Sequence, residues 1–327
     1  MRARILKLLR QQSQDYLSGE EISRQMAVSR TAVWKHIQEL KNHGYEIEAH
    51  PRKGYRLKSR PDLLLPEEIR AGLSTQLLGQ QIVHFYDTSS TNNEAKRLAA
   101  DEAVEGTIIV SEAQTLGRGR LNRGWFSPPG GGVWVSVILR PPFPPQEAPK
   151  CTLLAAVATV EAIREASGLE CGIKWPNDIF WQGRKVVGIL TEMSAEMDAI
   201  NYVVLGIGIN VGLTEADFPE ELREIVASVS MGAGREVSRV ELLQKLLARL
   251  EYWYQLVKKE GFAPVLEAWR RESVTLGQPV RVLAGEETYD GVAEELAEDG
   301  SLLVRTESGL RRVLAGDVSL RLKRVKR

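Results

Sequence analysis

The chain has 327 residues, 43% of them hydrophobic and 26% charged, with equal numbers of basic and acidic side chains. This length and composition are typical of a globular protein with two or three domains. No apolar run approaches the roughly 20 residues of a membrane span, and the basic N-terminal segment lacks the apolar core of a secretory signal. Two cysteines fit a reducing compartment, and the four histidines have no zinc-ligand spacing. The sequence therefore predicts a cytoplasmic protein without membrane association.

Basic residues are concentrated at the start of the chain. Residues 1–60 carry 13 Lys and Arg against 6 Asp and Glu, whereas the remaining residues carry 30 against 37. A basic first domain on an acidic remainder indicates that an anionic polymer binds the first domain alone.

The first sixty residues have the pattern of a winged helix-turn-helix. Ser18 and Ser29 each precede a segment with helical apolar spacing, and a tight turn at Ala27-Val28 separates the two segments. Short strands at 45–48 and 54–57 then frame a basic loop, as in a wing. The second helix of such a motif enters the major groove of DNA. We expect DNA contacts from Ser29, Arg30, Thr31, Trp34, Lys35, Arg52 and Lys53.

Alternatives to DNA binding stay open at this point. The same helices fit a small helical module with a solvated charged face, and Trp34 fits packing against the wing as well as it fits DNA contact. Prolines within residues 58–66 end the pattern. We predict a first domain at 1–62, a central domain at 63–273 and a C-terminal domain at 274–327.

Helix-like and strand-like segments alternate from residue 67 onward, which predicts a mixed α/β central domain. The predicted strands are 82–87, 107–113, 133–140, 185–194 and 201–209, and the predicted helices are 92–100, 150–167 and 238–260. Short strands around Gly285, Gly291, Gly300 and Gly309 then predict a small β-domain that ends near Gly316-Asp317.

One polar cluster lies between a predicted strand and the helix after it. Ser90, Thr91 and Asn92 offer hydroxyl and amide groups at a helix N-terminus, where polar or anionic ligands bind. Residues of these types also serve as ordinary helix caps, and the cluster alone does not decide between the two.

A second cluster, between Gln114 and Pro128, places three arginines among three glycines. Arginine forks bind carboxylate and phosphate in a bidentate manner, whereas glycine entropy and arginine repulsion oppose order in the empty loop. We therefore predict a loop that is ordered by an anionic ligand, with Trp125 available to stack on a base. A solvated loop or an RGG-like RNA-binding segment is the alternative.

Two further clusters follow. The sequence KWPND at 174–178 and the lysine of GRKVVGIL at 183–190 suit contact with a carboxylate or phosphate, and Asp178 is a candidate magnesium ligand. The glycines of GIGINVG at 206–212 have the spacing G-x-G-x-x-x-G with no suitable helix after them, which excludes a dinucleotide-binding fingerprint. We interpret them as positions where a ligand approaches a strand closely.

Taken in order, these motifs resemble those of the biotin–protein ligases, and with the N-terminal module they are similar to the bifunctional (BirA) type that also represses transcription. The resemblance spans essentially the whole chain. It implies an α+β fold: an N-terminal winged helix-turn-helix, a central α/β domain like the class II aminoacyl-tRNA synthetase core, and a C-terminal SH3-like β-barrel. The sequence departs from the pattern at Leu121 and Asn122, where many members have arginine and glycine.

The resemblance also implies residue roles. Biotin is expected at Ser90, Thr91, Asn92, Gln114, Arg118, Gly119, Arg120 and Lys185, and the nucleotide at Arg123, Trp125, Asn177 and Asn210. Arg118, Arg120 and Lys185 are the expected catalytic residues. The implied substrates are biotin and ATP with Mg²⁺, the intermediate is biotinyl-5′-AMP, and the acceptor is a lysine of the biotin carboxyl carrier domain of acetyl-CoA carboxylase or another biotin-dependent carboxylase.

The implied regulatory partners are operator DNA of biotin synthesis or transport genes and a second copy of the chain. We expect the homodimer to be linked to ligand binding and to use one of the strands 185–194 and 201–209. A biotin-sensing repressor without catalysis, a ligase without DNA binding and a lipoate ligase are the alternatives. The first would lack Lys185 or the arginines, and the complete GRGR and KWPND sequences disfavour the last.

Overall fold

In the computed structural model the chain forms two compact units, Met1–Leu73 and Ser74–Arg327. The structure describes residues 1–11, 15–42, 44–59, 62–284, 287–315 and 318–322. Within these residues, no helix is both long and apolar enough to cross a membrane.

The first unit contains the predicted helix-turn-helix and wing. Ser18 accepts a hydrogen bond from the backbone N–H of Glu21 at 3.0 Å and so caps the second helix. Ser29 caps the third helix in the same way through the N–H of Ala32, at 3.2 Å. Ala27, with a φ of 52°, makes the turn between them. The elements are α1 (Arg2–Gln11), α2 (Gly19–Met26), α3 (Arg30–Asn42), β1 (Glu46–His50), β2 (Gly54–Ser59) and α4 (Pro66–Ala71).

The apolar positions that predicted these helices form the core of the first unit. Ile22 and Met26 of α2 and Val33, Ile37 and Leu40 of α3 are all buried in one cluster. The helix-turn-helix prediction is therefore confirmed.

The short helix α4 belongs to this unit and was not predicted. The carboxylate of Glu68 is completely buried and accepts hydrogen bonds from the Arg10 guanidinium and the Tyr45 hydroxyl. Burial and the bond to Glu68 both raise the pKa of Tyr45. The unit therefore extends past the predicted boundary at residue 62, because separating α4 from α1 would leave a buried charge without its partner.

A seven-stranded sheet forms the centre of the second unit. Its order is β3-β4-β5-β9-β8-β7-β6; β3 and β4 are parallel and every other pair is antiparallel. The five predicted strands are confirmed to within two residues, whereas β6 and β7 were missed because each is too short to show a pattern. The strands are β3 (Ile82–Thr88), β4 (Ile108–Gln114), β5 (Gly132–Leu139), β6 (Gly172–Lys174), β7 (Asp178–Trp181), β8 (Arg184–Glu196) and β9 (Ala199–Asn210).

Helices pack on this sheet and position its loops. Ala95 and Ala99 of the first helix pack on Ile109, Ile138 and Val204 of the sheet. The three predicted helices are confirmed, and two shorter ones are added. The helices are α5 (Thr91–Ala100), α6 (Lys150–Ser167), α7 (Val229–Ala233), α8 (Arg239–Glu260) and α9 (Ala263–Glu272).

The C-terminal segment forms a five-stranded antiparallel sheet with the order β13-β12-β11-β10-β14. This confirms the small β-domain. Gly285, Gly316 and Asp317, which the sequence analysis used to delimit it, lie outside the described residues. The strands are β10 (Pro279–Ala284), β11 (Glu287–Leu296), β12 (Leu302–Thr306), β13 (Gly309–Val313) and β14 (Val318–Leu322).

Candidate active site

The four sequence clusters meet in one cleft beside β8 and β9, with a volume of about 920 Å³. Most of the lining comes from the start of α5, the arginine loop, the KWPND segment and the glycines of β8 and β9. Among the described lining residues, one carboxylate, Asp178, faces five basic side chains. These are Arg118, Arg120, Arg123, Lys174 and Lys185. A cleft with this charge attracts an anionic ligand.

Hydroxyl and amide groups form a hydrogen-bonded end of the cleft. The backbone N–H and the hydroxyl of Thr91 both donate to Gln114 Oε1, at 2.9 and 3.2 Å. Ser136, which was not among the residues predicted from the sequence, donates to Asn92 Oδ1 at 2.6 Å, and its hydroxyl oxygen lies 2.8 Å from Thr91 Oγ1. Ser90 is buried at the N-cap position but makes no capping hydrogen bond. The capping alternative for this cluster is thus not supported for Ser90.

The glycines of β8 and β9 make room for side chains of the site itself. A Cβ atom on Gly206 would lie 2.1 Å from Asn92 Oδ1, and one on Gly208 would lie 2.5 Å from the indole nitrogen of Trp125. Gly188 is similarly close to the Trp125 ring, at 2.9 Å. The close approach predicted for these strands is therefore present, but it is to Asn92 and Trp125.

The arginine loop forms a closed hairpin. Gly119 N–H donates to the Arg123 carbonyl at 2.7 Å, and Trp125 N–H donates to the Gly117 carbonyl at 2.8 Å. Leu121 and Asn122, the two departures from the family pattern, have positive φ values of 55° and 52° at its tip. These hydrogen bonds within the backbone set the conformation of the loop. Ordering of the loop by an anion stays a prediction.

The side chains of the two central arginines point to different partners. Arg118 Nη2 donates to both carboxylate oxygens of Glu192, at 3.0 and 3.2 Å. Arg120 donates to Asn177 Oδ1 at 3.2 Å and to the carbonyl oxygen of Ala315, which lies in the C-terminal segment. Arg120 therefore links the loop to the KWPND segment and to the small β-domain.

Lys185 lies at the centre of the cleft. Its ammonium group is 2.6 Å from Asp178 Oδ1 and 5.0 Å from the centre of the Trp125 ring. The backbone N–H of Lys185 donates to the Ile225 carbonyl and its carbonyl accepts from Ala227 N–H, at 2.8 and 2.9 Å. The segment after β9 thus fixes the main chain of Lys185 on the side away from β7.

Asp178 does not have the surroundings of a resident metal site. Its carboxylate already pairs with Lys185, and the described residues contain no group of three or more acidic, histidine or cysteine side chains that would hold a metal. Magnesium is usually bound through one or two carboxylates together with substrate phosphates. The donor set therefore fits an ion that arrives with a nucleotide and does not fit one held by the protein alone.

Two of the residues predicted to bind the nucleotide, Arg123 and Asn210, differ in their exposure and in their position relative to the cleft. Arg123 is exposed and lines the cleft. Asn210 is buried outside the cleft lining, and its amide donates to the Ala227 carbonyl at 3.1 Å. Its side chain braces the segment that holds Lys185, and direct contact of Asn210 with the nucleotide stays a prediction.

The seven predicted DNA contacts are all exposed on the first unit. Arg52 and Lys53 lie at the tip of the β1–β2 hairpin. Trp34 is 56% exposed, so most of its indole does not pack against the wing. An exposed basic helix and a basic wing tip are the surfaces through which such modules bind DNA.

Comparison with protein families matches three segments of the chain. Residues 84–210 match the biotin/lipoate A/B protein ligase family, residues 2–56 match an HTH domain, and residues 275–321 match the biotin protein ligase C-terminal domain. The three matches agree with the helix-turn-helix, the central sheet and the small β-domain.

Individual proteins show the same similarity. The chain is 44% identical to "Bifunctional ligase/repressor BirA" of Bacillus subtilis (strain 168) over 98% of both chains. It is 33% identical to the "Biotin--[acetyl-CoA-carboxylase] ligase" of Paracoccus denitrificans, over 71% of this chain and 97% of that one. Among solved structures, a biotin protein ligase from Aquifex aeolicus in complex with biotin and ATP matches with a TM-score of 0.65 and 31% identity, over 75% of this chain and all of that one.

Proposed function

The chain belongs to the biotin protein ligase family, in the branch of bifunctional ligase/repressors, and we propose that it activates biotin with ATP, transfers it to a carrier protein and represses transcription. The observation that carries the proposal is the meeting of Arg118, Arg120 and Lys185 in one cleft. The alternatives are lipoate ligation, a repressor without catalysis and a ligase without DNA binding. Each explains fewer of the features of the chain than the proposed function does.

The first step joins two anions. The carboxylate of biotin attacks the α-phosphorus of ATP, a carboxyl–phosphate bond forms, and pyrophosphate leaves; biotinyl-5′-AMP remains. No protein nucleophile is required, so catalysis consists of positioning and charge neutralisation. We assign the neutralisation to Arg118, Arg120 and Lys185, with Lys185 exchanging Asp178 for the reacting groups.

Biotin and the nucleotide occupy different ends of the cleft in this proposal. The ureido ring lies against Ser90, Thr91 and Gln114, whose hydroxyl, N–H and amide groups suit its donors and acceptors. The nucleotide lies toward Trp125, which offers an aromatic face, and toward the exposed Arg123. Magnesium enters with ATP, and no step is assigned to a metal held by the protein.

The second step needs a path for the acceptor lysine. A groove of about 1250 Å³ lies across the arginine loop from the cleft, lined by parts of residues 118–122, 148–152, 176–177, 189–193 and Ala315. It shares with the cleft the loop residues 118–121 and also Pro176, Asn177, Ile189 and Leu190. A lysine that reaches these residues from the groove is next to the mixed anhydride, and its amine displaces AMP to form an amide. We propose that the carrier domain of a biotin-dependent carboxylase docks here.

Repression is assigned to a dimer on operator DNA, because one winged helix covers one half-site. β9 lies between β5 and β8, so it has no free edge for a second copy. β8 pairs with β9 from Val187 to Glu196 but with β7 only as far as Gly188. Within the described residues, the outer edge of β8 from Leu190 to Glu196 has no strand beside it. We propose this edge for a ligand-linked homodimer in the cytoplasm, where ATP and DNA are present.

Biotin-dependent exchange of labelled pyrophosphate into ATP tests the first step without an acceptor protein. We expect exchange with biotin and none without it. Exchange that requires lipoate instead, or no exchange with either acid, would contradict the proposal.

A further inference from the structure

Glu192, on β8, is the point where three other polar side chains converge. Its carboxylate lies 2.7 Å from Lys96 Nζ, accepts from Asn92 Nδ2 at 2.8 Å and accepts from Arg118 Nη2 at 3.0 Å. Partial burial raises the pKa of Glu192, but the bonds from Lys96 and Asn92 and the charge of Arg118 outweigh it and hold the pKa below its usual range. Glu192 is therefore ionised at neutral pH.

A carboxylate at this position repels anionic substrates. Its presence beside the cleft therefore suggests a structural role that outweighs this repulsion. Its pairing with Arg118 involves one guanidinium nitrogen, Nη2, with both oxygens of Glu192. Within the described residues, this leaves Nε and Nη1 of Arg118 available for a substrate anion. Lys96, which also contacts Oε1 of Glu192, offsets its charge, so the three groups together stay positive.

Asn92 gives Glu192 a second connection to the cleft. Its amide donates to Glu192 and to the Leu190 carbonyl, at 2.8 and 3.3 Å, while its oxygen accepts from Ser136. The absence of a side chain at Gly206 leaves the space that the Asn92 amide occupies. Glu192 is thereby held in place itself, and can hold Arg118.

We propose that Glu192 is a positioning residue for biotin activation, which fixes the guanidinium of Arg118 in one orientation before the substrate binds. A long, flexible side chain that is ordered in advance loses less freedom on binding, so the bound state forms more readily. The inference rests on the proposed function, because it needs an anion of the first step to meet Arg118. It adds a residue of β8 that lies outside the lining of the cleft and acts on biotin through Arg118.

Glu192→Gln tests the role with little change in shape. Glutamine keeps an oxygen that accepts from Asn92 but removes the charge that fixes Arg118. In biotin-dependent pyrophosphate exchange we expect kcat/KM for biotin to fall about tenfold, which lies within the usual range for coupled neighbours, mainly through a higher KM. Glu260→Gln, exposed at the end of α8 and outside the linings of the cleft and the groove, is the matched control and should leave exchange unchanged.

A double-mutant cycle separates positioning from a general structural effect. In an Arg118→Ala background, Glu192→Gln should change the remaining exchange by less than about twofold, because the residue it positions is gone. An equal loss in both backgrounds, or no loss in the wild-type background, would overturn the proposal. A Lys96→Ala variant that reproduces the full loss would also overturn it. Lys96 contacts Glu192, but the Glu192–Arg118 pair remains when Lys96 is removed.

Circular dichroism melting shows whether each variant is folded, and Glu192→Asp provides a second reading. Aspartate keeps the charge, so kcat/KM should lie above that of Glu192→Gln; a value at or below it would contradict a role for the charge. If the wild-type chain shows no biotin-dependent exchange, the proposed function has failed, and that result is distinct from every outcome above.

Discussion

Lys185→Ala is the substitution with the largest expected effect on the first chemical step. The ammonium group of Lys185 lies 2.6 Å from Asp178 Oδ1, and the pair shares the cleft with the arginines. Removing it withdraws a cation from two reacting anions, which commonly costs a factor of about 100 to 1,000 in rate. It also leaves the Asp178 carboxylate without its partner. A unit charge about 5 Å from a developing anion, at an effective dielectric constant of about 20, adds a repulsion of roughly 3 kcal/mol.

Both effects have the same sign, so we expect biotin-dependent pyrophosphate exchange to fall at least about 1,000-fold. The double variant Lys185→Ala/Asp178→Asn removes the uncompensated charge and should recover about tenfold of that loss. Arg184→Ala changes the neighbouring basic residue, which pairs with Glu215 at 3.8 Å outside the cleft lining, and serves as the control. Near-normal exchange by Lys185→Ala would refute the role of this residue. A further loss in the double variant would refute the electrostatic reasoning about Asp178.

Three other predictions concern the site, the core and the division into units. Gly206→Ala should abolish biotin-dependent exchange in a folded protein, because the new Cβ would lie 2.1 Å from Asn92 Oδ1; isothermal titration with biotin that matches the wild type would contradict this. Arg239→Ala should lower the free energy of unfolding by about 3–5 kcal/mol, because it removes the guanidinium that lies 2.9 Å from the buried Glu112 carboxylate. Urea denaturation measures this free energy, and a change below about 1 kcal/mol would show that the pair is not stabilising. A chain starting at Ser74 should keep pyrophosphate exchange and lose DNA binding in a gel-shift assay, and a folded but inactive product would show that the units depend on each other.

The parts of the site that the sequence predicted are those with unusual local composition. The GRGR loop, the KWPND segment and the paired glycines each concentrate residue types whose chemistry is specific at short range, and the sheet brings all three to one cleft. The helix-turn-helix was predictable for a similar reason, since its caps and apolar spacing are local features.

Other contributors are visible only in three dimensions. Glu192 stands in a strand as an ordinary charged residue, and its contact with Arg118 joins residues that are 74 positions apart. The burial of Glu68 was likewise not predictable from the sequence, because an acidic residue in a short helix after a proline is usually exposed. Its burial depends on Arg10 and Tyr45, which lie far away in the sequence.

Asn210 has a contact in the structure that the sequence did not indicate, while its predicted contact with the nucleotide stays a prediction. The sequence places it at the end of a glycine-rich strand, where a ligand contact is a reasonable expectation. In the structure it is 3% exposed and bonds to the Ala227 carbonyl, in the segment whose backbone pairs with Lys185. Its identity was informative because the site depends on it indirectly.

In the proposed function, this cleft activates biotin and passes it to a carrier lysine. The most direct test incubates the purified chain with ATP, a biotin carboxyl carrier domain and an equimolar mixture of biotin and lipoate, followed by mass spectrometry of the intact carrier. We expect one biotinyl group on the acceptor lysine, no lipoyl group, and no modification when ATP is omitted. A carrier that acquires lipoate, or that stays unmodified while the ligase is folded, would contradict it.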